Sequence, residues 1–460
     1  MVYELLNCGI MGPSSTPNPL QGSIMTTRRQ FLKHSALAGA AVTAGISTVS
    51  AASAVHAGGS GKIKVGLIGC GGRGRGAVNQ ALQTGKDVEI VAVGDYFKSR
   101  AVSTRTLFMR ELPEDQVRIP EENVFDGFQN HLGVIGADVD VVLIAGAAKF
   151  HPLQALAAVK AGKHVFVEKP CAIDSAGIHM LEKAVALAQQ KSLSFDAGFQ
   201  SRFRPAGIAL VEQIHNGAIG EVRAAQCNFL RSPYGVRGSF EGMTELEFQI
   251  FNQYVFSWLS GDDFTQSLVH NVDRISWVLG KYPTAAYGMG GRAAAFGRQY
   301  GNVFDHHSAV FYYGNDNCRV FAACRTQNGC FNEYNDIIFG AKGMTDWNSA
   351  VIRGETNWRF TGERVDQGSQ MQRQQTALFD AVRKGERVDG GDYAVKSSLM
   401  AILGQIACYT GHMITWDDIY NSQFEFTPTV AECIAGTASP VPPGPDGTYP
   451  VPVPGSNPWW

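Results

Sequence analysis

A lysine behind an apolar strand, a histidine on a later helical stretch and a glycine loop early in the folded sequence are the residues best able to do chemistry here. Gly69, Gly71 and Gly74 give the spacing GxGxxG within KIKVGLIGCGGRGRG. Entered from a strand and left by a helix, such a loop, here including Gly72 and Arg73, surrounds a pyrophosphate with backbone N–H groups at a helix N-terminus. In a chain with 52 glycines the spacing alone is weak, since on the order of one accidental match is expected. Context strengthens it. Asp95 ends the next apolar run, about 20 residues beyond the loop, where an acid hydrogen-bonds the adenosine ribose. An aspartate there repels a 2′-phosphate, so NAD is expected rather than NADP. Lys169 follows the run HVFVE and precedes Pro170, which biases its backbone toward extended structure. An ammonium at that strand end can hydrogen-bond an alcohol and stabilise the alkoxide that develops as hydride leaves. His270, as a neutral imidazole, can accept the hydroxyl proton. On a regular helix Gln266, His270, Asp273 and Trp277 share one polar face, which makes Asp273 the expected partner of His270.

Positioning these groups requires two kinds of architecture. From Lys62 to about Gln200, apolar runs (IKVGLIG, VEIVAVGD, VDVVLIAG, HVFVE, LSFDAGFQ) alternate with helical stretches, as a parallel sheet covered by helices on both faces demands. His151 to Lys163 reads as a helix closed by Gly162, and Asp174 as the cap of a helix with Ile178, Leu181, Val185 and Ala188 in one stripe. After Arg202, longer strands such as EVRAAQCNFL, SAVFYYG, CRVFAACR and YNDIIFGAKG follow one another with few helices between. The predicted fold is therefore α/β: a doubly wound Rossmann domain, then an α+β domain with an open, largely antiparallel sheet. Two late helices, Gln367 to Lys384 and Ala394 to Tyr409, can pack on either domain.

The segment DVDVVLIAGAAKFHPLQALAAVKAGKHVFVEKPCAI, together with the glycine loop, resembles the Gfo/Idh/MocA family of sugar and cyclitol oxidoreductases, whose signature is a GKHV strand ending in EKP. AGFQSRFRPA, the GAIGEV turn and SLVHNVDRISWVLG extend the resemblance over about Lys62 to Thr427. It implies that Lys169 binds the reacting alcohol and that Ala145, Gly146, His151 and Glu168 lie along the nicotinamide half of the cofactor. It also implies that Arg202 lies near the active site, where it can hold substrate hydroxyls or form a structural ion pair. Two positions depart from the family pattern. Gln266, expected to contact substrate, stands where many relatives carry an aspartate four residues before the histidine, and Gly146 with Ala147 replaces a Thr-Pro pair. The family's second-domain sheet commonly forms a subunit interface, so a dimer or tetramer is expected.

Asp305, His306 and His307 could tempt a metal assignment, but neighbours on a strand point to opposite faces. One of them, His306, is expected to line the sugar pocket, and no metal is expected. Of nine cysteines none forms a CxxC pair, and they read as small buried apolar residues.

Met25 to Ala57 carries Arg28 and Arg29 ahead of a weakly apolar stretch and small residues, the pattern of a twin-arginine export signal. Translation is expected to start at Met25 and cleavage to fall near Ala54 or Ala57. The expected segments are thus a signal region at 1–57, a nucleotide domain at 58–200, a substrate and oligomerisation domain at 201–435 and a proline-rich arm at 436–460. The twin-arginine route carries folded proteins, so a tightly held cofactor would travel to the periplasm with the chain. The balance of 39 basic and 41 acidic residues argues against general nucleic-acid binding, and no apolar run outside the signal is long enough to span a bilayer.

Three activities remain open on sequence: hydride exchange between bound NAD and a sugar, cyclitol or glycoside hydroxyl; a redox-neutral glycosidase that oxidises, eliminates, adds water and reduces; and a non-catalytic sugar-binding module.

Overall fold

The computed structural model describes residues 61–456 apart from 237, 315–317 and 437, so the export signal expected at 1–57 lies outside the described residues. Apolar runs near the start become β1 (Ile63–Ile68), β2 (Val88–Gly94), β3 (Val124–Phe125), β4 (Val141–Ile144), β5 (His164–Val167) and β6 (Phe195–Ala197). They pair in the order β3-β2-β1-β4-β5-β6, every pair parallel. This order reverses direction at β1, opening a crevice beyond the carboxyl ends of β1 and β4 where ligands of such sheets bind. The strands are buried on both faces because helices cover both. Asp174 does cap the Ser175–Gln190 helix, its Oδ1 accepting from the Gly177 N–H at 2.7 Å.

The second sheet has nine strands: β7 (Val222–Arg231), β8 (Ala285–Gly291), β9 (His306–Tyr312), β10 (Arg319–Thr326), β11 (Glu333–Gly340), β12 (Gly343–Asp346), β13 (Val351–Gly354), β14 (Trp358–Arg359) and β15 (Ile414–Thr415). Their order is β14-β13-β12-β11-β7-β10-β9-β8-β15, and only β7 and β10 run parallel. The antiparallel expectation holds with that one exception.

One late helix joins the two sheets, and a second returns to the first. The Gly391–Thr410 helix is apolar around nearly its whole circumference and buried along most of its length, as a helix surrounded by protein must be. It packs on β8, β9, the Ser175–Gln190 helix and the Val269–Leu279 helix. The Gln367–Lys384 helix returns to the first domain, where Leu378, Phe379 and Val382 complete the core beside β1 and Arg383 pairs with Asp87 at 2.7 Å.

Candidate active site

Two glycines of the loop, Gly69 and Gly74, have separate steric reasons. Gly69 has φ +94°, and a Cβ there would lie 2.4 Å from the backbone nitrogen of Gly146. A Cβ on Gly74 would lie 2.0 Å from the Gly69 carbonyl oxygen, so any side chain would force the Gly72–Leu82 helix off the strand. Gly71, by contrast, faces open space, as does Gly72. Close packing behind and an open backbone in front, at a helix N-terminus, fit a dinucleotide pyrophosphate.

The adenosine side of this groove is lined by Gly69, Gly71, Asp95, Arg100, Ile250 and Gln253. The Asp95 carboxylate accepts from the Cys70 N–H at 2.8 Å and the Phe97 N–H at 3.0 Å, which fixes it against the loop. Arg100 lies 3.7 Å from it, its guanidinium over the rings of Phe97 and Phe251.

Beyond Gly146 the groove opens into a cleft of ≈ 400 Å³ whose walls include Arg73, His151, Glu168, Lys169, Gln266 and His270. Residues from the first sheet and from the second half of the chain meet there. Glu168 pairs with Arg73 of the glycine loop at 2.9 Å. Lys169 Nζ donates to the Gln266 carbonyl at 2.7 Å. That carbonyl lies in a π-helical turn, Phe264–Leu268, preceding the Val269–Leu279 helix. The i→i+5 pattern of such a turn disturbs the regular ladder, a common feature of functional sites.

His270 is buried and its Nδ1 has no hydrogen-bond partner. Burial, then the charges of Lys169 and Arg274, hold its pKa well below the ordinary imidazole value. It is therefore neutral and available as an acceptor. His151 is fully enclosed, its Nδ1 2.9 Å from the Pro170 carbonyl and its Nε2 3.2 Å from that of Gly146. Burial carries its pKa down to about 4, and a neutral ring has one N–H to donate, so only one carbonyl can be satisfied. The shorter contact, to Pro170, takes it.

Three sequence expectations need correction. Asp273 does not partner His270: its carboxylate accepts from Arg202 Nη2 at 2.8 Å and from the Ser397 hydroxyl at 2.7 Å, fully buried. A charge-assisted guanidinium fork outcompetes a neutral imidazole for that acceptor. Arg202 for the same reason is a structural residue, stacked over Tyr393 at 4.3 Å and Trp277 at 5.4 Å, outside the cleft lining. His306 is also outside it, with Nδ1 2.7 Å from Asp305 Oδ1. Burial raises the Asp305 pKa, but hydrogen bonds from the Ala294 backbone, His306 and the Ala295 and Ala293 backbones outweigh it and bring it to about 2. His307 turns the other way, to Asp262 at 2.7 Å.

The structure adds wall residues that the sequence reading missed. Tyr234 and Tyr254 stack with centroids 4.5 Å apart, and Arg231 lies 3.6 Å over the Tyr234 ring while pairing with Asp263. Tyr234 accepts from Gln266 Nε2 at 3.0 Å, linking the aromatic pair to the residue whose carbonyl holds Lys169. These residues occupy a loop-rich stretch with no periodic or motif signal. Gln367 and Met371, from the start of a late helix, close another side.

A nucleotide-binding Rossmann domain whose crevice opens into a polar cleft built with a second, mostly antiparallel sheet is the class that fold and site define. Residues 63–199 match the family described as "Oxidoreductase family, NAD-binding Rossmann fold", so this part of the chain is similar to the NAD-binding domains of that family. The chain is 30% identical over 217 residues to an inositol 2-dehydrogenase of Acidothermus cellulolyticus, covering 47% of this chain and 53% of that protein. An inositol 2-dehydrogenase of Pseudomonas savastanoi is also 30% identical, over 203 residues, 44% of this chain and 56% of the relative. The chain thus spans about half the length of the curated relatives it matches. Its fold is similar to that of scyllo-inositol dehydrogenase from Lactobacillus casei, solved with NAD(H) and scyllo-inositol, with TM-score 0.56 at 20% identity, over 77% of this chain and 99% of the other.

Proposed function

We propose that the protein is an oxidoreductase that transfers hydride between a tightly bound NAD and a hydroxyl of a sugar, cyclitol or glycoside. The observation that carries this reading is the convergence of Lys169 and His270 on one cleft beside the glycine loop and Gly146. When bound, the nicotinamide supplies the hydride acceptor. Lys169 holds the substrate oxygen and offsets its developing negative charge. His270, neutral and without a carboxylate partner, receives the hydroxyl proton. The imidazolium so formed stands near the Lys169 ammonium, and this repulsion drives the proton onward to solvent. Gln266 positions Lys169 through its carbonyl and a wall tyrosine through its amide. The carboxylate of Asp95 on the adenosine side supports NAD over NADP.

The inositol dehydrogenases among the relatives support a cyclitol or sugar substrate, and the exposed Tyr234–Tyr254 pair offers an apolar face for such a ring. Turnover tests the proposal: purified protein is mixed with myo-inositol and with nitrophenyl glycosides, and absorbance at the reduced-nicotinamide band is followed. A change in bound reduced cofactor on substrate addition is expected. Release of nitrophenol with no net change would favour the redox-neutral glycosidase, and neither signal would refute both.

Export to the periplasm belongs to the same proposal and rests on the Arg28–Arg29 leader sequence. A homo-oligomer is supported by the outer face of the second sheet, where Tyr287 and Phe321 flank Val310 in register and Met289 and Phe339 are also exposed.

A further inference from the structure

The proline-rich C-terminal stretch is pinned at both ends to the body of the protein. At one end the buried Lys149 ammonium donates to the Phe426 carbonyl at 2.6 Å and to Asp174 at 3.0 Å, while the Phe426 N–H donates to the same Asp174 oxygen at 3.2 Å. At the other end the Gly455 N–H donates to the Thr410 carbonyl at 2.8 Å. Between these anchors the segment crosses one short helix, Glu245–Phe251.

That helix is part of the nucleotide groove. Ile250 and, just beyond, Gln253 line the adenosine side with Asp95 and Arg100, and Phe251 packs edge-on to Phe97 at 5.5 Å. Its other side is held by the C-terminal stretch. Gln249, fully buried, donates through Nε2 to the Ser439 hydroxyl and, at 2.7 Å, to the Val441 carbonyl, and its Oε1 accepts from Trp258 Nε1 at 2.9 Å. The Tyr449 hydroxyl donates to Glu245, and its ring meets Phe256 edge-on at 4.9 Å. Phe426, Cys433 and Tyr449 share one apolar cluster with Phe97, Ile250 and Phe256.

From this arrangement we infer that residues 426–455 are a strap whose contacts through Gln249 and Tyr449 hold the Glu245–Phe251 helix over the adenosine half of the groove and slow cofactor release. Gln249 on the helix and Tyr449 on the strap are positioning residues in this scheme, since they join strap to helix and do not line the groove. The inference rests on the proposed nicotinamide dinucleotide binding and adds the means of retention. A strap of this kind changes how fast the ligand leaves more than how fast it enters.

The test compares the wild type with Tyr449→Phe and with a chain lacking residues 436–460. Each protein is loaded with NAD, challenged with excess thionicotinamide adenine dinucleotide, and sampled by gel filtration for the NAD it still holds; melting temperatures are recorded with and without nucleotide. Release about tenfold faster or more from the shortened chain, and an intermediate rate from Tyr449→Phe, is the expected result. Melting of the nucleotide-free forms should change less than that of the loaded forms. Equal release rates, or equal loss of melting temperature in both forms, would overturn the strap. Should the shortened chain fail to fold, Tyr449→Phe and Tyr449→Ala decide by the same measurements. A wild type that takes up no NAD removes the proposed function along with the strap, whereas NAD held equally well by every variant removes only the strap.

Discussion

The two halves of the cleft are built from different materials. Around the nucleotide groove the decisive atoms belong to the backbone: Gly69 against Gly146, Gly74 against Gly69, and the Cys70 and Phe97 N–H groups on Asp95. Around Lys169 and His270 they belong to side chains and to one irregular turn, with Gln266, Tyr234 and Arg231 reaching in from separate segments. Backbone contacts admit few residue types and so leave a motif. Side-chain walls admit many, so they can change with substrate while the groove stays fixed.

The sharpest way to break this contrast is on the backbone side. Gly74→Val places a branched side chain where even a Cβ lies 2.0 Å from the Gly69 carbonyl oxygen, so NAD uptake in equilibrium dialysis should be abolished. Retention of normal NAD affinity would show that the loop is not the nucleotide site.

Asp273→Asn probes the corrected partnership. It leaves the buried Arg202 guanidinium without its counter-charge, and breaking such a pair costs about 3–5 kcal/mol, readable in urea unfolding. The acid limb of the pH–rate profile should stay in place, since His270 does not use this carboxylate. A shifted limb with unchanged stability would restore Asp273 as the partner of His270.

On the cleft side, Lys169→Ala removes the donor to the substrate oxygen. Turnover should fall by about 10²–10³, the usual effect of losing one such donor, while bound NAD measured after denaturation stays at the wild-type level. Normal turnover would favour the non-catalytic reading.

Acid stability probes the two buried imidazoles. His151 and His270 have folded pKa values below their unfolded ones, so the unfolded chain binds more protons and stability is lost as pH falls from about 6.5. For His151, displaced from 6.5 to about 4, the loss by pH 4 is about 3 kcal/mol at ~1.4 kcal/mol per pH unit. Urea unfolding between pH 7 and 4 checks it. Because Asp196, raised by burial to about 6, acts in the opposite direction over this range, the His151 contribution is read as the difference between wild type and His151→Gln. No difference in their pH dependence would mean that the ring is charged in the acidified native state.

Legibility in the sequence follows the same divide. Apolar runs mark β1, β2, β4 and β5 to within a few residues, the Gln367–Lys384 helix matches at both ends, and Asp174 caps the Ser175–Gln190 helix. These are signals of local periodicity and capping. The two-residue edge strand β3 and the short strands β12 to β14 are below the length at which alternation can be recognised. Asp273 was misassigned because helical spacing shows which residues are neighbours but not which of two competing donors wins. Arg202, from a different segment, decided that contest. His306 failed similarly: alternation shows that it and His307 diverge, but not which face meets the cleft. Tyr234 and Tyr254 lie about 20 residues apart in a stretch without periodicity, and only tertiary packing brings their rings together.

The account stands or falls on a nicotinamide dinucleotide held in this groove. Protein purified without added cofactor should be denatured and the released small molecules identified by absorbance and mass. Close to one NAD(H) per chain is the expected result; protein that releases none, and that binds neither NAD nor NADP when they are supplied, would contradict it.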